Sequence, residues 1–436
     1  MTGLRILCFF LFCTIPTLYL QANFAELREA CHKRDYKEMG KQARKLVETR
    51  AELKRLKQFA REIKSIKLFR AARFALQLDN KRGALKVNPG EIVQIALFIE
   101  THLPKFIEKG DYYLKQSSTG LPRKLEYDPE SGKTFILLDG VKGSFIGAGC
   151  RKRVVRSILY DYLHPQIVAR GEQKLNSREL RVSKILKGGR GLFKTRALTQ
   201  HSENGQEFAT IYSDIINPGS FKTIAEERIT FSLREKMKIA EGILRGLTTM
   251  HRRNVVHRDL GLGNYLVSIT KTKSGKKVVK GVLSDFGSSM EISRAHNVIP
   301  QANTSYTAPE GLFFQKMAGS DYFSTDVFAA GCAFYNLFYG HMPAWTKKRY
   351  LRRTSTPMEQ NYKELIEKID LITKARREEL MQKKQQNLIS PGDAFELLIL
   401  KMLHPDHTKR GTSTELLHEM QGILKMPRRQ NVKKII

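Results

Sequence analysis

The sequence predicts an α+β fold with two lobes, a small β-rich lobe and a large helical one, preceded by a helical N-terminal region. Three observations carry this. Apolar residues recur at helical spacing over the first eighty or so positions. Strand-like runs cluster between Lys133 and Ala169. After about Leu233 long helical patterns dominate.

The elements follow in order. From Phe24 to Arg82 the chain is rich in Lys, Arg, Glu, Ala and Leu. Leu46, Leu53, Leu56, Ala60, Ile63 and Phe69 fall on one helical face, which predicts one long or two amphipathic helices. Asn88-Pro89-Gly90 is a turn, and a second helical segment is expected from Glu91 to Leu114. Residues 24–116 form a basic helical region, and 117–125, which include Ser117-Ser118-Thr119-Gly120-Leu121-Pro122, read as a linker. Lys133–Leu138, Val154–Tyr160 and Gln166–Ala169 read as strands. The small lobe is expected over about 126–212 and the large lobe over 213–436.

The N-terminus has Arg5, an apolar stretch from Ile6 to Leu20, and then Gln21-Ala22. That layout predicts a signal peptide over 1–22, cleaved after Ala22, or a retained membrane anchor. Of five cysteines, Cys8 and Cys13 lie in this stretch, and Cys31, Cys150 and Cys332 form neither a disulfide framework nor a metal motif. The 436 residues carry 76 Lys and Arg against 43 acids, a net charge of +33. Such a field favours acidic partners or an anionic membrane surface, reached through the basic N-terminal helices. Nucleic acid is not the expected partner, because the cations are spread along the chain without interleaved aromatics.

Three motifs carry chemistry. In VVHRDLGLGNYLV, His257, Arg258, Asp259 and Asn264 stand at H-R-D-L-x-x-x-N spacing. VLSDFGSS holds Asp285, Phe286 and Gly287, and SYTAPEG holds Ala308, Pro309 and Glu310. They occur in this order, with about 25 residues from the second to the third. From about Glu126 to the C-terminus the chain resembles the eukaryotic-type protein kinase family in its Ser/Thr-like, bacterial form. Two further stretches match. Asp326-Val327-Phe328-Ala329-Ala330-Gly331 resembles the family segment whose aspartate braces the catalytic loop. Arg410 resembles the buried arginine that pairs with the glutamate of the third motif, here Glu310.

The resemblance implies a bilobal protein-kinase-like fold over 126–436 and transfer of the ATP γ-phosphate to protein Ser/Thr hydroxyls. Asp259 would be the base, and Asn264 and Asp285 would hold Mg²⁺ through oxygen ligands. A protein is the expected substrate. The APE segment, Asp326 and Arg410 argue against a small-molecule kinase.

The nucleotide loop is expected in FIGAGCRKRVV, with Gly147, Gly149, Lys152 at the third glycine position, and Val154. The family's strand lysine, two residues after Ala169, is replaced by Gly171. Side chains alternate along a strand, so Lys152 shares a face with Val154, as Gly171 does with Ala169, while Arg170 points away. This resembles the with-no-lysine kinases. It implies that Lys152 contacts the phosphates, beside Val154 and Ala169 at the nucleotide, and pairs with Glu179 on a truncated or bent helix. Lys174 is the rival lysine if a bulge rotates the strand. Gly261 also stands where Ser/Thr kinases carry a lysine, and Asn303 where a threonine is usual. A pseudokinase, a nucleotide-binding or partner-docking module, is therefore the second expectation. Ser293, Thr304 and Ser305 are candidate phosphate acceptors for Arg258. A signal peptide on an ATP-using protein implies secretion, into a host cell for instance, or membrane anchoring.

Overall fold

The structure is a computed structural model that describes residues 24–79, 88–106, 112–113, 124–128, 130–138, 141–148, 153–161, 163–175, 177–203, 205–272, 274–294, 306, 308–313, 321–347 and 358–427. The signal-peptide stretch over 1–22 lies outside them, as do 117–123 of the expected linker. Among the described residues no helix is long and apolar enough to cross a membrane.

The chain divides into two compact units. The first comprises residues 1–175 and 196–215, the second 176–195 and 216–436. In the first, five helices precede the sheet among the described residues: α1 (Ala25–His32), α2 (Tyr36–Leu46), α3 (Arg50–Glu62), α4 (Ile66–Asp79) and α5 (Pro89–Phe106). The sequence reading of one or two helices over 24–82 is corrected to four, and the breaks have local causes. Asp35 accepts from the backbone N–H groups of Lys37 and Glu38 at the start of α2. Thr49 and Glu52 form a reciprocal capping box on α3. Lys64, in the left-handed region at φ 55°, ends α3.

The sheet contains β1 (Tyr112–Tyr113), β2 (Lys124–Asp128), β3 (Lys133–Leu137), β4 (Phe145–Ala148), β5 (Arg153–Tyr160), β6 (Gln166–Lys174), β7 (Thr195–Glu203) and β8 (Gln206–Asp214). Its order is β1-β2-β3-β5-β6-β8-β7, with β4 beside β5. Tyr112 and Tyr113 pair with Leu125 and Lys124, so the helix expected to reach Leu114 ends earlier and the linker expected over 117–125 yields its last two residues to β2.

The helices are part of this unit and no separate arm. Leu27, Leu56, Phe74, Val93 and Leu97 share one core with Leu125, Ile136, Leu138 and Ile158 of the sheet. Tyr160 on β5 stacks obliquely on Phe74 at 4.8 Å and donates its hydroxyl to Glu100 on α5 at 2.5 Å. The other sheet face buries Phe135 against Tyr212 at 3.7 Å.

The second unit contains α6 (Ser177–Leu186), β9 (Pro218–Ser220), α7 (Phe221–Glu226), α8 (Leu233–Arg252), β10 (Val255–Val256), β11 (Tyr265–Lys271), β12 (Lys277–Leu283), β13 (Met290–Glu291), α9 (Pro309–Phe313), α10 (Asp321–Tyr339), α11 (Met358–Gln385), α12 (Pro391–Met402) and α13 (Ser413–Lys425). The ten-residue α6, expected within the small lobe, belongs here. Val182 and Leu186 join the core of Leu244, Phe286, Phe334 and Met402. Capping boxes at Ser232, Ser390 and Thr412 start α8, α12 and α13. β12 crosses α8 at Gly242 and Gly281, where a Cβ on Gly281 would fall 2.1 Å from the Ile239 carbonyl oxygen. Only glycine permits so close an approach.

Candidate active site

Two loops leave the same end of a strand pair. β11 pairs with β12 from Tyr265↔Leu283 to Lys271↔Lys277. Residues 257–264 precede the first strand and 284–289 follow the second, so register alone brings Asn264 beside Ser284. The Ser284 N–H and hydroxyl both donate to the Asn264 carbonyl, at 3.0 and 3.1 Å. His257 Nε2 lies 3.0 Å from the Ser284 carbonyl, and Ser289 donates its hydroxyl to the His257 carbonyl at 3.3 Å.

Asp326, buried on α10, organises the first loop. Its Oδ2 accepts from the His257 N–H at 2.7 Å and its Oδ1 from the Arg258 N–H at 3.0 Å. His251 holds the same carboxylate through Nε2 at 3.1 Å and reaches Ser413 through Nδ1 at 3.0 Å. The brace read from the sequence is therefore present. The contribution of His251 was not read, because nothing in its spacing marks it. Arg258 sits in the left-handed region at φ 70° and Asp285 at φ 61°. Non-glycine residues persist there only when their surroundings hold them, a pattern that clusters at functional sites. Burial first, then the neighbouring Arg178 guanidinium, lowers the pKa of Arg258.

The side chains of Asn264 and Asp285 are set by backbone contacts. The Asn264 side-chain amide donates to the Asp259 carbonyl at 2.6 Å, which leaves the Asn264 side-chain oxygen as an acceptor. Asp285 is exposed, and its Oδ1 accepts from the Gly287 N–H at 3.3 Å. Glu179 is 1% exposed in the first turn of α6. A Cβ on Gly287 would lie 3.2 Å from Glu179 Oε2 and 3.3 Å from Asp285 Oδ1, so both carboxylates border that glycine. Asp285 and Asn264 offer hard oxygen donors at one end of the strand pair, a set that fits Mg²⁺.

The third motif is anchored from α9. Arg410 is fully buried and grips Glu310 with two nitrogens, Nη1 to Oε1 at 2.5 Å and Nη2 to Oε2 at 3.0 Å. Its guanidinium also lies over the Phe328 ring at 4.8 Å. The Leu262 N–H donates to the Tyr306 hydroxyl; burial nonetheless raises the pKa of that phenol.

In the first unit, Gly147 pairs with Val154 and Ala148 with Arg153, which makes β4 and β5 a hairpin. Gly149 and Lys152 lie outside the described residues, as do Asn303, Thr304 and Ser305. Val154 pairs with Gly171 and Arg156 with Ala169, so Val154, Ala169 and Gly171 share one sheet face. Arg170 lies on the other face, buried in ion pairs with Glu126 at 3.6 Å and with Glu172. The β6 ladders with β5 and β8 run without a register shift from Gln166 to Lys174, so Lys174 shares the Arg170 face.

A family model described as protein kinase domain matches residues 169–420, more than half of the chain. The chain belongs to the protein kinase domain family. The matched kinase domain includes Ala169, Glu179, Asp259, Asn264 and Asp285, whereas Gly147, Gly149, Lys152 and Val154 precede it. It is 29% identical over 142 residues to a probable serine/threonine-protein kinase, gdt2, of Dictyostelium discoideum, across 32% of this chain and 8% of that one. It is 29% identical over 187 residues to cyclin-dependent kinase 20 of Homo sapiens, across 41% of this chain and 51% of that protein. Cyclin-dependent kinase 9 of Xenopus tropicalis is 31% identical over 115 residues, 25% of this chain and 28% of its own. The alignments thus span about half or less of these relatives.

Proposed function

We propose that the protein is a protein kinase that transfers the ATP γ-phosphate to Ser or Thr hydroxyls of a protein substrate. The observation that carries this is the Asp326 carboxylate holding the His257 and Arg258 N–H groups, which fixes the backbone on which Asp259 stands. In this reading Asp259 orients the attacking hydroxyl and takes its proton. The hydroxyl oxygen bonds the γ-phosphorus, the bond to the β–γ bridging oxygen breaks, and ADP leaves. Asn264 and Asp285 would hold Mg²⁺, which would supply charge neutralisation at the phosphates. Gly147, Gly149, Val154 and Ala169 border the nucleotide, and Lys152 is the phosphate-contacting lysine. The unbroken β6 ladder supports Lys152 over Lys174, since no bulge turns Lys174 to the Gly171 face. Glu179, buried against the turn at Gly287, belongs to the same machinery.

The second reading, a pseudokinase that binds nucleotide or docks a partner, is favoured by Gly171 and Gly261, which stand where the family carries lysines. Mg-ATP autophosphorylation of the full chain separates the two. Wild-type incorporation that disappears in Asp259→Asn and Lys152→Met but survives in Lys174→Met supports the kinase reading. No incorporation by wild type, with nucleotide binding retained, supports the pseudokinase.

For partners, the basic helices suit an acidic protein or an anionic membrane surface. For location, Arg5 and the apolar Ile6–Leu20 stretch support secretion or membrane anchoring. N-terminal sequencing of the mature protein after fractionation tests it; an intact Met1 in the soluble fraction overturns both.

A further inference from the structure

Two elbows of the helical bundle meet at one corner. The α1–α2 elbow contains Arg34 and the α3–α4 elbow contains Lys64, each in the left-handed region, at φ 52° and 55°. Cys31, at the end of α1, hydrogen-bonds Ser65 in the second elbow. Lys67 Nζ sits 4.2 Å from the centre of the Tyr36 ring, at the start of α2. These contacts bring the elbow of Arg34 and Lys37 to the elbow of Lys64 and Lys67, where Ile66 is 67% exposed.

The local charge is one-sided. Between Arg50 and Arg73 the sequence has nine Lys and Arg against two Glu. Arg50 pairs with Asp79 and Arg70 with Glu100, but Lys64 and Lys67 have no acidic partner among the described residues, nor do Arg34 and Lys37. The acids beside these cations are engaged elsewhere: Asp35 is turned onto the α2 backbone, Glu38 takes Lys41 and Gln42, and Glu62 accepts from Gln58. Cations at left-handed positions are also uncommon, because glycine or asparagine is preferred there.

We propose that this corner docks on an anionic phospholipid bilayer, with the cations among the headgroups and Ile66 entering the interface. This narrows the partner reading above and is independent of catalysis. The corner carries three lysines and an arginine beside one exposed branched aliphatic side chain, Ile66. Protein interfaces are depleted of lysine and enriched in aromatics and arginine. A bilayer instead accepts dispersed cations and a shallow apolar side chain without a matching shape.

The test is co-sedimentation of the full chain with vesicles of phosphatidylcholine alone and of phosphatidylcholine mixed with phosphatidylserine, at low and high salt. The wild type should prefer the mixed vesicles and release them in salt. Lys37→Gln, Lys64→Gly and Lys67→Gln combined should lower that partitioning by at least about tenfold, and Ile66→Ser should weaken it further. Lys64→Gly suits the left-handed backbone, so an unchanged melting curve will show that the fold is intact. A variant that partitions like the wild type overturns the proposal. So does a wild type indifferent to phosphatidylserine, and capture by an acidic protein surface alone would then identify the other class of partner. Autophosphorylation in vesicle-free solution should be the same for wild type and variant; its absence from both counts against the kinase reading and leaves the vesicle result standing.

Discussion

Arg410 and Glu310 form a two-pronged ion pair with almost no solvent exposure on either side, a hundred residues apart in sequence. The arginine is further tied to the carbonyls of His404 and Pro405, at 2.7 and 3.0 Å. Such a pair is expensive to break from one side, since the remaining charge is left buried. Arg410→Leu or Glu310→Leu alone should cost about 3–5 kcal/mol of stability. Replacing both together should cost less than the sum of the two. Urea unfolding of the two single variants and the double variant checks this.

Asp326 offers a sharper dissection of activity from stability. Asp326→Asn keeps the shape but replaces one acceptor oxygen by a donor nitrogen, and the His257 and Arg258 N–H groups lose one charged acceptor. The expected result is a fall in autophosphorylation of at least about tenfold, with secondary structure retained by circular dichroism. Wild-type incorporation in this variant would show that the loop is held without the carboxylate.

The first unit depends on its helices. Phe74 is fully buried against Tyr160, and Phe74→Ala should destabilise by about 3–5 kcal/mol. Tyr160→Phe removes the hydroxyl from Glu100 and should cost about 1–2 kcal/mol. A fragment beginning near residue 120 strips the cover from Leu125, Ile136, Leu138 and Ile158, and should aggregate or yield rapidly to protease. A stable, monomeric fragment would contradict the shared core.

Where α8 meets β12, any side chain on Gly281 collides with backbone, which cannot move aside as a flexible side chain can. Gly281→Ala should therefore destabilise by more than the intrinsic preference of alanine gains, and lower the melting temperature by several degrees. Gly147→Ala is the contrast: a Cβ there meets nothing within 4 Å, so the fold should tolerate it.

Burial raises the Cys31 thiol to about 11, with the Ser65 hydrogen bond acting in the opposite direction. The folded state thus holds the thiol proton more tightly than the unfolded chain, whose thiol titrates near 8.5. The associated stability is present below that value and is lost as the pH rises toward about 11. At pH 9 iodoacetamide should modify Cys31 far more slowly in the folded protein than in urea, because the thiolate is the reacting species.

Much of the second unit was legible because its signals are local. The three motifs carry their own spacing, and the segments around Asp326 and Arg410 mark both residues. The breaks between helices were also written locally, in Asp35 and in the Thr49–Glu52 box, though the shared amphipathic period hid them. Strands were recognisable over Lys133–Leu138, Val154–Tyr160 and Gln166–Ala169, but the run of the third on to Lys174 was not.

Tertiary structure decided what local pattern does not encode. That the basic helices share a core with the sheet depends on which apolar faces meet, and a helical stripe looks the same whatever covers it. The continuous β5–β6–β8 register excluded a bulge at Lys174, a matter of strand pairing that no single strand specifies. His251 joined Asp326 because α8 and α10 pack side by side, and Glu179 came to border Gly287 because α6 belongs to the helical core. The sequence by itself determined the chemical groups and the backbone motifs that carry them. Long-range packing determined which of those groups stand together, because burial and hydrogen bonding are satisfied between elements far apart in the chain.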